Sequence, residues 1–284
     1  MSILQNFEAL AKNKASKIGI GLGISDFHNK KILKAILNFL EEYSSTIYIF
    51  GNEKALDHIR EKIDLKYKKK IFLIQSKKPE EEIFKSLKRK IIHSIIRGSL
   101  SSKKFLEKLK NYLDTAMINR LALLETADGY QFFYGPVGID ECNNAQSKIE
   151  FLESALKELE SLNICPNISV LSGGRLGDIG RDNNVDTSIK IGENTVKAMK
   201  GRYPNLKIRH DEILIENAIK NKSNLIIAPD GISGNLIYRT LVHLGGGKAY
   251  GAIYMGLENN IIDTSRVGDL SEIQGALILA LALS

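Results

Sequence analysis

Two short polar stretches follow apolar segments in the C-terminal third of the chain, and their residue types suit the binding of a charged substrate. The first is Asp-Gly-Ile-Ser-Gly-Asn at 230–235, after the apolar run 224–228, and the second is Asp-Thr-Ser-Arg at 263–266. In an open α/β sheet, ligands bind beyond the carboxyl ends of the strands. Charged, hydroxyl and small residues at these two positions therefore predict a binding site.

In the first stretch, Asp230, Gly231, Gly234 and Asn235 are the candidate binding residues. Glycine lets a backbone approach a ligand closely, and an asparagine side chain can both donate and accept hydrogen bonds. A helix is predicted over 236–244, and a helix N-terminus attracts negative groups. The alternative is a capped turn in which Asp230 only holds backbone amides.

A third polar loop, Ser-Gly-Gly-Arg-Leu-Gly at 172–177, follows the predicted buried strand 168–171. Its glycines can expose backbone N–H groups, and an arginine can hold an anion with two hydrogen bonds. In the alternative, the glycines make a tight turn and the arginine points to water. The candidate substrate-binding residues here are Ser172, Gly173, Gly174, Arg175 and Gly177.

The composition indicates which partners to expect. A chain of 284 residues is long enough for two compact α/β lobes, and the net charge of +7 suits small anionic substrates. The basic segments 66–70 and 85–90 are interrupted by apolar residues at regular spacing and lack an aromatic stripe, so we predict no nucleic-acid partner. No run of about 18 apolar residues is present, which predicts no membrane span and a cytoplasmic protein.

Metal ligands are not grouped in the sequence. Cys142 and Cys165 form no Cys-x-x-Cys pair, and the five histidines lack metal-binding spacing. We therefore predict no protein-bound metal.

Hydrophobic periodicity predicts alternating strands and helices, and hence a mostly parallel sheet with helices on both faces. The segment 130–138, with its Gly-Pro turn, is predicted to be an edge strand or a crossover, and 275–283 a buried closing helix. Strands are predicted at 17–23, 46–50, 71–75, 118–126, 168–171 and 224–228, and helices at 29–43, 53–63, 79–96, 102–113 and 146–162.

The residues Ala228-Pro229-Asp230, Gly234-Asn235, Tyr238-Arg239 and Ser265-Arg266 together resemble the end of the phosphate acetyl/butyryl transferases, the phosphotransacetylases. The stretch from Asp230 to Asn235 is also similar to the phosphate acyltransferases of phospholipid synthesis. Within this superfamily, the short chain and the Gly-Gly-Arg loop most resemble the methanogen marker protein 4 group of archaea. Members of that group are labelled as methyltransferase subunits.

The resemblance implies a two-lobed fold like that of the isocitrate and isopropylmalate dehydrogenases, with the site in a cleft between the lobes. Lobe one would be 1–118 plus 251–284, and lobe two 119–250. Members of the superfamily are often dimers, which implies a homodimer here.

The resemblance also implies roles for individual residues. Arg266 would hold the phosphoryl end of the substrate, Ser265 would hydrogen-bond the reacting thiol, and Glu272 would take the proton from the thiol of coenzyme A or a related thiol. Asp269 competes with Glu272 for that last role. Alternatively, Asp269 is a helix N-cap and Glu272 completes a capping box.

The sequence is compatible with three functions. The first is a transferase that moves an acyl group between phosphate and a thiol. The second is a methyltransferase, or a methyltransferase subunit with a partner subunit, connected with methanogenesis. The third is a non-catalytic ligand-binding regulator on the same fold, since Gly174 and Leu176 stand where phosphotransacetylases carry hydroxyl residues and a lysine.

Overall fold

The computed structural model describes residues 2–114 and 118–284. The chain divides into two compact units. Unit 1 comprises the residues up to Ile118 together with Ala249–Ser284, and unit 2 comprises Asn119–Lys248.

The elements are named in chain order. The helices are α1 (Ile3–Ala11), α2 (Asp26–Glu42), α3 (Glu53–Arg60), α4 (Pro79–Lys88), α5 (Ser102–Leu113), α6 (Ala145–Ser161), α7 (Asn183–Arg202), α8 (Ile215–Lys220), α9 (Gly231–His243) and α10 (Leu270–Ala282). The strands are β1 (Lys17–Gly21), β2 (Thr46–Gly51), β3 (Ile71–Gln75), β4 (Ser94–Ile96), β5 (Arg120–Glu125), β6 (Gln131–Gly135), β7 (Asn167–Leu171), β8 (Lys207–Glu212), β9 (Leu225–Ile227), β10 (Lys248–Tyr254) and β11 (Asn260–Asp263).

In unit 1 the strands lie in the order β3-β2-β1-β4-β11-β10. Neighbours run parallel except for β10, which is antiparallel to β11. Helix α10 packs on α1 and α2, while α4 and α5 pack on each other. Parallel strands need covered faces, and the fully buried Ile18 and Ile20 of β1 fit that requirement.

In unit 2 the strands lie in the order β5-β6-β9-β7-β8. Only β5 runs antiparallel to its neighbour, so β6, β9, β7 and β8 end at the same edge. The segments that leave this edge include the predicted loop 172–177 and the predicted stretch 230–235. The α/β prediction with mostly parallel strands is confirmed.

The helix predicted over 79–96 is wrong in its second half. Helix α4 ends at Lys88 because Lys90 adopts the left-handed conformation, with φ of 58°. The amides of Lys90 and Ile91 then bond back to the carbonyls of Leu87 and Ser86, which is a Schellman C-cap. Of the apolar residues that follow, Ile95 and Ile96 belong to β4, which lies between β1 and β11.

Of the two structures predicted for 130–138, an edge strand or a crossover, the edge strand is wrong, because β6 lies between β5 and β9. Its Phe132, Phe133 and Tyr134 are buried. Pro136 follows the last paired residue, Gly135, so its missing N–H removes no bond from the ladder. In the described part of the chain, no helix has the length and apolar character needed to cross a membrane.

Helix α10 approaches β10 closely at Gly275, which gives a test of the packing. A Cβ added there would lie 2.7 Å from the Tyr250 Cα. We expect Gly275→Ala to lower the free energy of unfolding by about 1–3 kcal/mol, measured by urea denaturation. The matched control is Gly201→Ala in α7, where a Cβ meets nothing within 4 Å and a gain of up to about 1 kcal/mol is expected. Equal effects of the two changes would contradict the close approach.

Candidate functional site

Ser265 and Arg266 lie in the loop between β11 and α10, in unit 1. Ser265 is half-buried, and its Oγ accepts a hydrogen bond from the Val267 N–H at 3.3 Å. Arg266 is exposed, and within residues 2–114 and 118–284 its guanidinium has no hydrogen bond or ion pair. The loop therefore presents a hydroxyl beside a positive charge that is available to a ligand.

A buried ion pair fixes the start of this loop. Arg97 follows β4, is 4% exposed, and pairs with Asp263 at the end of β11. Its other N–H groups donate to the carbonyls of Leu100, at 2.8 Å, and Thr264. The Thr264 hydroxyl donates to the carbonyl of Gly98 at 3.1 Å. The segments that follow β4 and β11 are thereby bound to each other just before Ser265.

Glu272 fixes the other end of the loop. It is 4% exposed, and its Oε1 accepts a hydrogen bond from the Ser265 N–H at 2.6 Å. Asp269 occupies the N-cap position of α10 without a side-chain cap hydrogen bond and lies 3.7 Å from Lys31 Nζ. Lys31 also donates to the carbonyl of Gly268 at 2.9 Å. The capping box considered for Asp269 and Glu272 is thus not formed, because the Glu272 carboxylate bonds Ser265 instead.

The loop at 172–177, in unit 2, is held by a histidine. Ser172 is buried, its Oγ lies 2.8 Å from His210 Nε2 on β8, and it donates to the carbonyl of Gly174 at 2.9 Å. Burial lowers the pKa of His210. Arg175 and Gly177 are exposed. The loop thus presents an arginine side chain above a buried Ser–His contact.

Most backbone amides of this loop have partners inside the protein. The Gly173 N–H donates to Ser188 Oγ at 2.8 Å, the Arg175 N–H to Asp178 at 2.9 Å, and the Leu176 N–H to Glu212 at 2.8 Å. An anion at this loop would therefore meet the Arg175 guanidinium before it meets the amides.

The predicted start of the helix at 236 is wrong, because α9 begins at Gly231. Asp230 is its N-cap, and Asp230 Oδ1 accepts a hydrogen bond from the Ser233 N–H at 2.8 Å. The capped-turn alternative therefore describes the Asp230 geometry. Two glycines in the first turns concealed the helix in the sequence, since glycine has low helix propensity.

Gly231, Gly234 and Asn235 pack α9 against the segment that follows β6. A Cβ at Gly231 would overlap the carbonyl oxygen of Gly138, and a Cβ at Gly234 that of Pro136. The Asn235 side chain donates to the carbonyl of Val137 at 2.8 Å. The close approach that these glycines permit is thus to the protein's own backbone.

The sequence analysis missed Lys148 of α6, which is fully buried and whose Nζ donates to the carbonyl of Pro229 at 2.7 Å. A signal was present, because Lys148 lies on the same helix stripe as the buried Leu152, Ala155 and Leu159. Over the described ranges, no group of three or more His, Cys, Asp or Glu side chains is arranged to hold a metal ion.

The strand order and the loops at the strand ends define an α/β protein with the fold of the phosphotransacetylases. The EutD phosphotransacetylase from Staphylococcus aureus superposes with a TM-score of 0.70 at 16% identity, over 99% of this chain and 97% of that one. A phosphotransacetylase from Streptococcus pyogenes gives a TM-score of 0.70 at 17% identity, over 100% and 99% of the two chains. At such identities the similarity is one of fold.

Sequence identity shows the family to which this chain belongs. The chain is 39% identical to "Putative methyltransferase mtx subunit X" of Methanosarcina mazei, over 100% of this chain and 95% of that protein. This chain belongs to that family of archaeal proteins, as the sequence predicted. No family model matches it.

The buried pair at the base of the Ser265 loop gives a test. We expect Asp263→Asn to lower the free energy of unfolding by about 3–5 kcal/mol in urea, since it leaves the Arg97 charge buried without its counter-charge. The control is Asp57→Asn, whose ion pair with Arg60 is more than half exposed, with 54% and 55% side-chain exposure. It is expected to cost less than about 1 kcal/mol. A loss of that small size for Asp263→Asn would contradict the role given to the buried pair.

Proposed function

We propose that this protein is a transferase that moves an acyl group between phosphate and the thiol of coenzyme A or a related thiol. The observation that carries the proposal is the exposed Arg266 guanidinium beside Ser265, on a loop fixed by the Arg97–Asp263 pair and by Glu272. An unpaired cation that projects from a fixed loop backbone is suited to stabilise negative charge that develops on a reacting group. The fold of the phosphotransacetylases supports the same chemistry by analogy.

In the proposed reaction, the thiol sulfur attacks the carbonyl carbon of an acyl phosphate. A C–S bond forms, the C–O bond to phosphate breaks, the phosphate leaves with the electron pair, and the thiol proton passes to Glu272 or to the departing phosphate. Arg266 would stabilise the negative charge on the departing phosphate, with two parallel hydrogen bonds available from its planar guanidinium. Ser265 Oγ would hydrogen-bond the thiol and orient it.

Glu272 has two candidate roles. The role predicted from sequence, removal of the thiol proton, stays a prediction. The hydrogen bond from the Ser265 N–H gives Glu272 a second role, in which it holds the loop so that Ser265 and Arg266 keep their positions. The burial of Glu272 favours this positioning role.

The roles of the two unit 2 segments also stay proposals. Arg175 is the residue of the 172–177 loop best placed to bind an anionic substrate, because its side chain is exposed. In the 230–235 segment, the start of α9 supplies the positive end of a helix dipole beside Asp230. The homodimer and the cytoplasmic location predicted from sequence stay predictions as well.

A second candidate function is that of a methyltransferase subunit that acts with a partner subunit. The observation in its favour is the name of the Methanosarcina mazei relative. On this reading, the Ser265–Arg266 loop would bind an anionic part of a methyl donor or acceptor, and the partner would complete the reaction site.

Removal of the Arg266 charge tests the acyl-transfer proposal. We expect Arg266→Ala to lower kcat/KM for coenzyme A-dependent phosphate release from acyl phosphates by about 10²–10³-fold, because the departing phosphate loses its stabilising cation. Arg60→Ala removes an exposed arginine of α3 and should leave the rate unchanged. Urea denaturation should give Arg266→Ala the stability of the unchanged protein.

Two results would contradict acyl transfer. One is full activity of Arg266→Ala, and the other is the absence of turnover across acyl phosphates of different chain lengths. Binding of coenzyme A without turnover would instead favour the regulatory function, and methyl transfer in the presence of a partner would favour the second candidate.

Glu272→Gln separates the two roles of that residue. The glutamine keeps an oxygen that can accept the Ser265 N–H but cannot take a proton at neutral pH. We expect a loss of less than about tenfold in kcat/KM for Glu272→Gln and a much larger loss for Glu272→Ala, which also releases the loop. A loss of about 10²–10⁴-fold in Glu272→Gln would instead assign Glu272 as the base.

A further inference from the structure

Three large apolar side chains of unit 1 are exposed in the segments around the Ser265–Arg266 loop. Ile24 and Phe27, which follow β1, are 81% and 68% exposed, and Val267, directly after Arg266, is 45% exposed. An exposed apolar side chain lacks the stabilisation that burial would give, and grouped apolar side chains mark binding surfaces. Ile24, Phe27 and Val267 are called the apolar patch below.

The strand order brings the segments of the apolar patch to one edge of the unit 1 sheet. Strands β1, β4 and β11 are neighbours and run parallel, so the segments that follow them leave the sheet at the same edge. Ile24 lies in the segment after β1, Phe27 lies in the first turn of α2, and Val267 lies in the segment after β11. In an open α/β sheet, this is the edge at which ligands bind.

Hydrogen bonds hold the segment after β1 in place. The Gly23 N–H donates to Ser99 Oγ at 2.7 Å, and Ser99 Oγ donates to Oδ1 of the fully buried Asn29 at 2.9 Å. The Asn29 side-chain N–H donates to the carbonyl of Gly23 at 2.9 Å. A Cβ at Gly23 would lie 2.2 Å from the carbonyl oxygen of Ser99. Ile24 and Phe27 therefore project from a backbone that packs directly on the segment after β4.

Lys31 connects Phe27 with the loop that carries Arg266. Its Nζ lies 5.1 Å from the centre of the Phe27 ring, donates to the carbonyl of Gly268 at 2.9 Å and lies 3.7 Å from Asp269 Oδ1. Asp269 thus faces the Lys31 ammonium, whereas the Arg266 guanidinium, two residues before Gly268, forms no ion pair within the described residues. An exposed aromatic ring therefore lies close to a loop whose cation is available to a ligand.

We propose that the apolar patch binds the hydrocarbon chain of the substrate, so that the protein prefers acyl phosphates with chains of about four or more carbons to acetyl phosphate. This inference rests on the proposed function, in which Arg266 holds the phosphoryl end. The surface complements such a ligand, because an available cation adjoins apolar side chains just as the phosphate adjoins the chain. The single methyl group of acetyl phosphate offers little surface to the patch, whereas each further methylene removed from water adds to the affinity.

The test is a calorimetric titration of the full chain with alkyl phosphates, which carry the same two ends but cannot transfer an acyl group. Methyl phosphate and butyl phosphate are compared at one pH. A fully buried methylene improves affinity about fourfold, so three methylenes that are buried in part should lower the Kd about tenfold from methyl to butyl phosphate.

Variants separate the apolar end of the ligand from its charged end. Phe27→Ala should reduce the methyl-to-butyl ratio of Kd values to about threefold or less, while Phe27→Leu, which keeps an apolar side chain, should retain most of it. Arg266→Ala should weaken both ligands by the same factor of about tenfold or more, because it removes only the partner of the phosphate. The control is Leu65→Ala, which should leave both Kd values unchanged. Leu65 is 72% exposed and precedes β3, so it lies towards the opposite edge of the sheet.

A titration with coenzyme A distinguishes the acyl chain from the thiol substrate as the occupant of the patch. Phe27→Ala should leave the Kd of coenzyme A unchanged. Urea denaturation should give this variant the stability of the unchanged protein, since the Phe27 side chain is 68% exposed. If Phe27→Ala fails to fold, Ile24→Ala is the second variant and should lower the methyl-to-butyl ratio in the same direction.

Four results would overturn the proposal. They are equal Kd values for methyl and butyl phosphate, no binding of either ligand, a full methyl-to-butyl ratio in the Phe27→Ala protein, and a loss of coenzyme A affinity in Phe27→Ala with unchanged binding of alkyl phosphates. Failure of the proposed function is a separate result, because the titrations require no turnover. A protein without acyl transfer that shows the expected ratios would keep the patch as a binding site. An enzyme that binds and converts short and long substrates equally would keep the function and lose the patch.

Discussion

The Ser265 loop depends on the buried ion pair between Arg97 and Asp263. Two charges removed from water carry a large desolvation cost, which is recovered only when the geometry is good and the remaining N–H groups find acceptors. Arg97 meets that condition, since the carbonyls of Leu100 and Thr264 accept its other donors. The same pair that offsets the Arg97 charge also fixes the backbone from which Arg266 projects. Within the described residues, the Arg266 guanidinium itself forms no ion pair.

Unit 2 also contains a buried cation, Lys148, but its partners differ from those of Arg97. Arg97 faces a carboxylate directly, whereas Lys148 donates to a carbonyl oxygen and has Asp230 only as an electrostatic neighbour. An arginine keeps its proton in either setting, but a lysine in a desolvated site gives its proton up more readily. Burial accordingly lowers the pKa of Lys148 to about 8, although Cys142 and Asp230 oppose the change.

The sequence predicted the features whose signal is local along the chain. It missed the features that depend on tertiary contacts. The bounds of α5 and the position of the Ser265 loop follow from hydrophobic spacing and residue type, which are visible along the chain. Strand β4 was missed because the left-handed Lys90 ends α4 while the apolar spacing continues. Lys148 was missed because a lysine on an amphipathic helix is ordinarily solvated. Lys148 contacts the turn at Pro229, which lies far from it in the chain, and hydrophobic spacing does not show such a tertiary contact.

The geometry also bears on the choice between acyl and methyl transfer. Gly231, Gly234 and Asn235 carry part of the resemblance to phosphate acyltransferases, yet their contacts serve the packing of α9, so their presence alone is weak support for activity. Arg266 differs, because within the described residues it has no structural partner to explain it. Loss of phosphate from an acyl phosphate places growing negative charge where a guanidinium can stabilise it. An exposed guanidinium without an ion pair is suited to bind an anionic group, and the proposed acyl transfer therefore rests on Arg266 more than on the residues of the 230–235 segment.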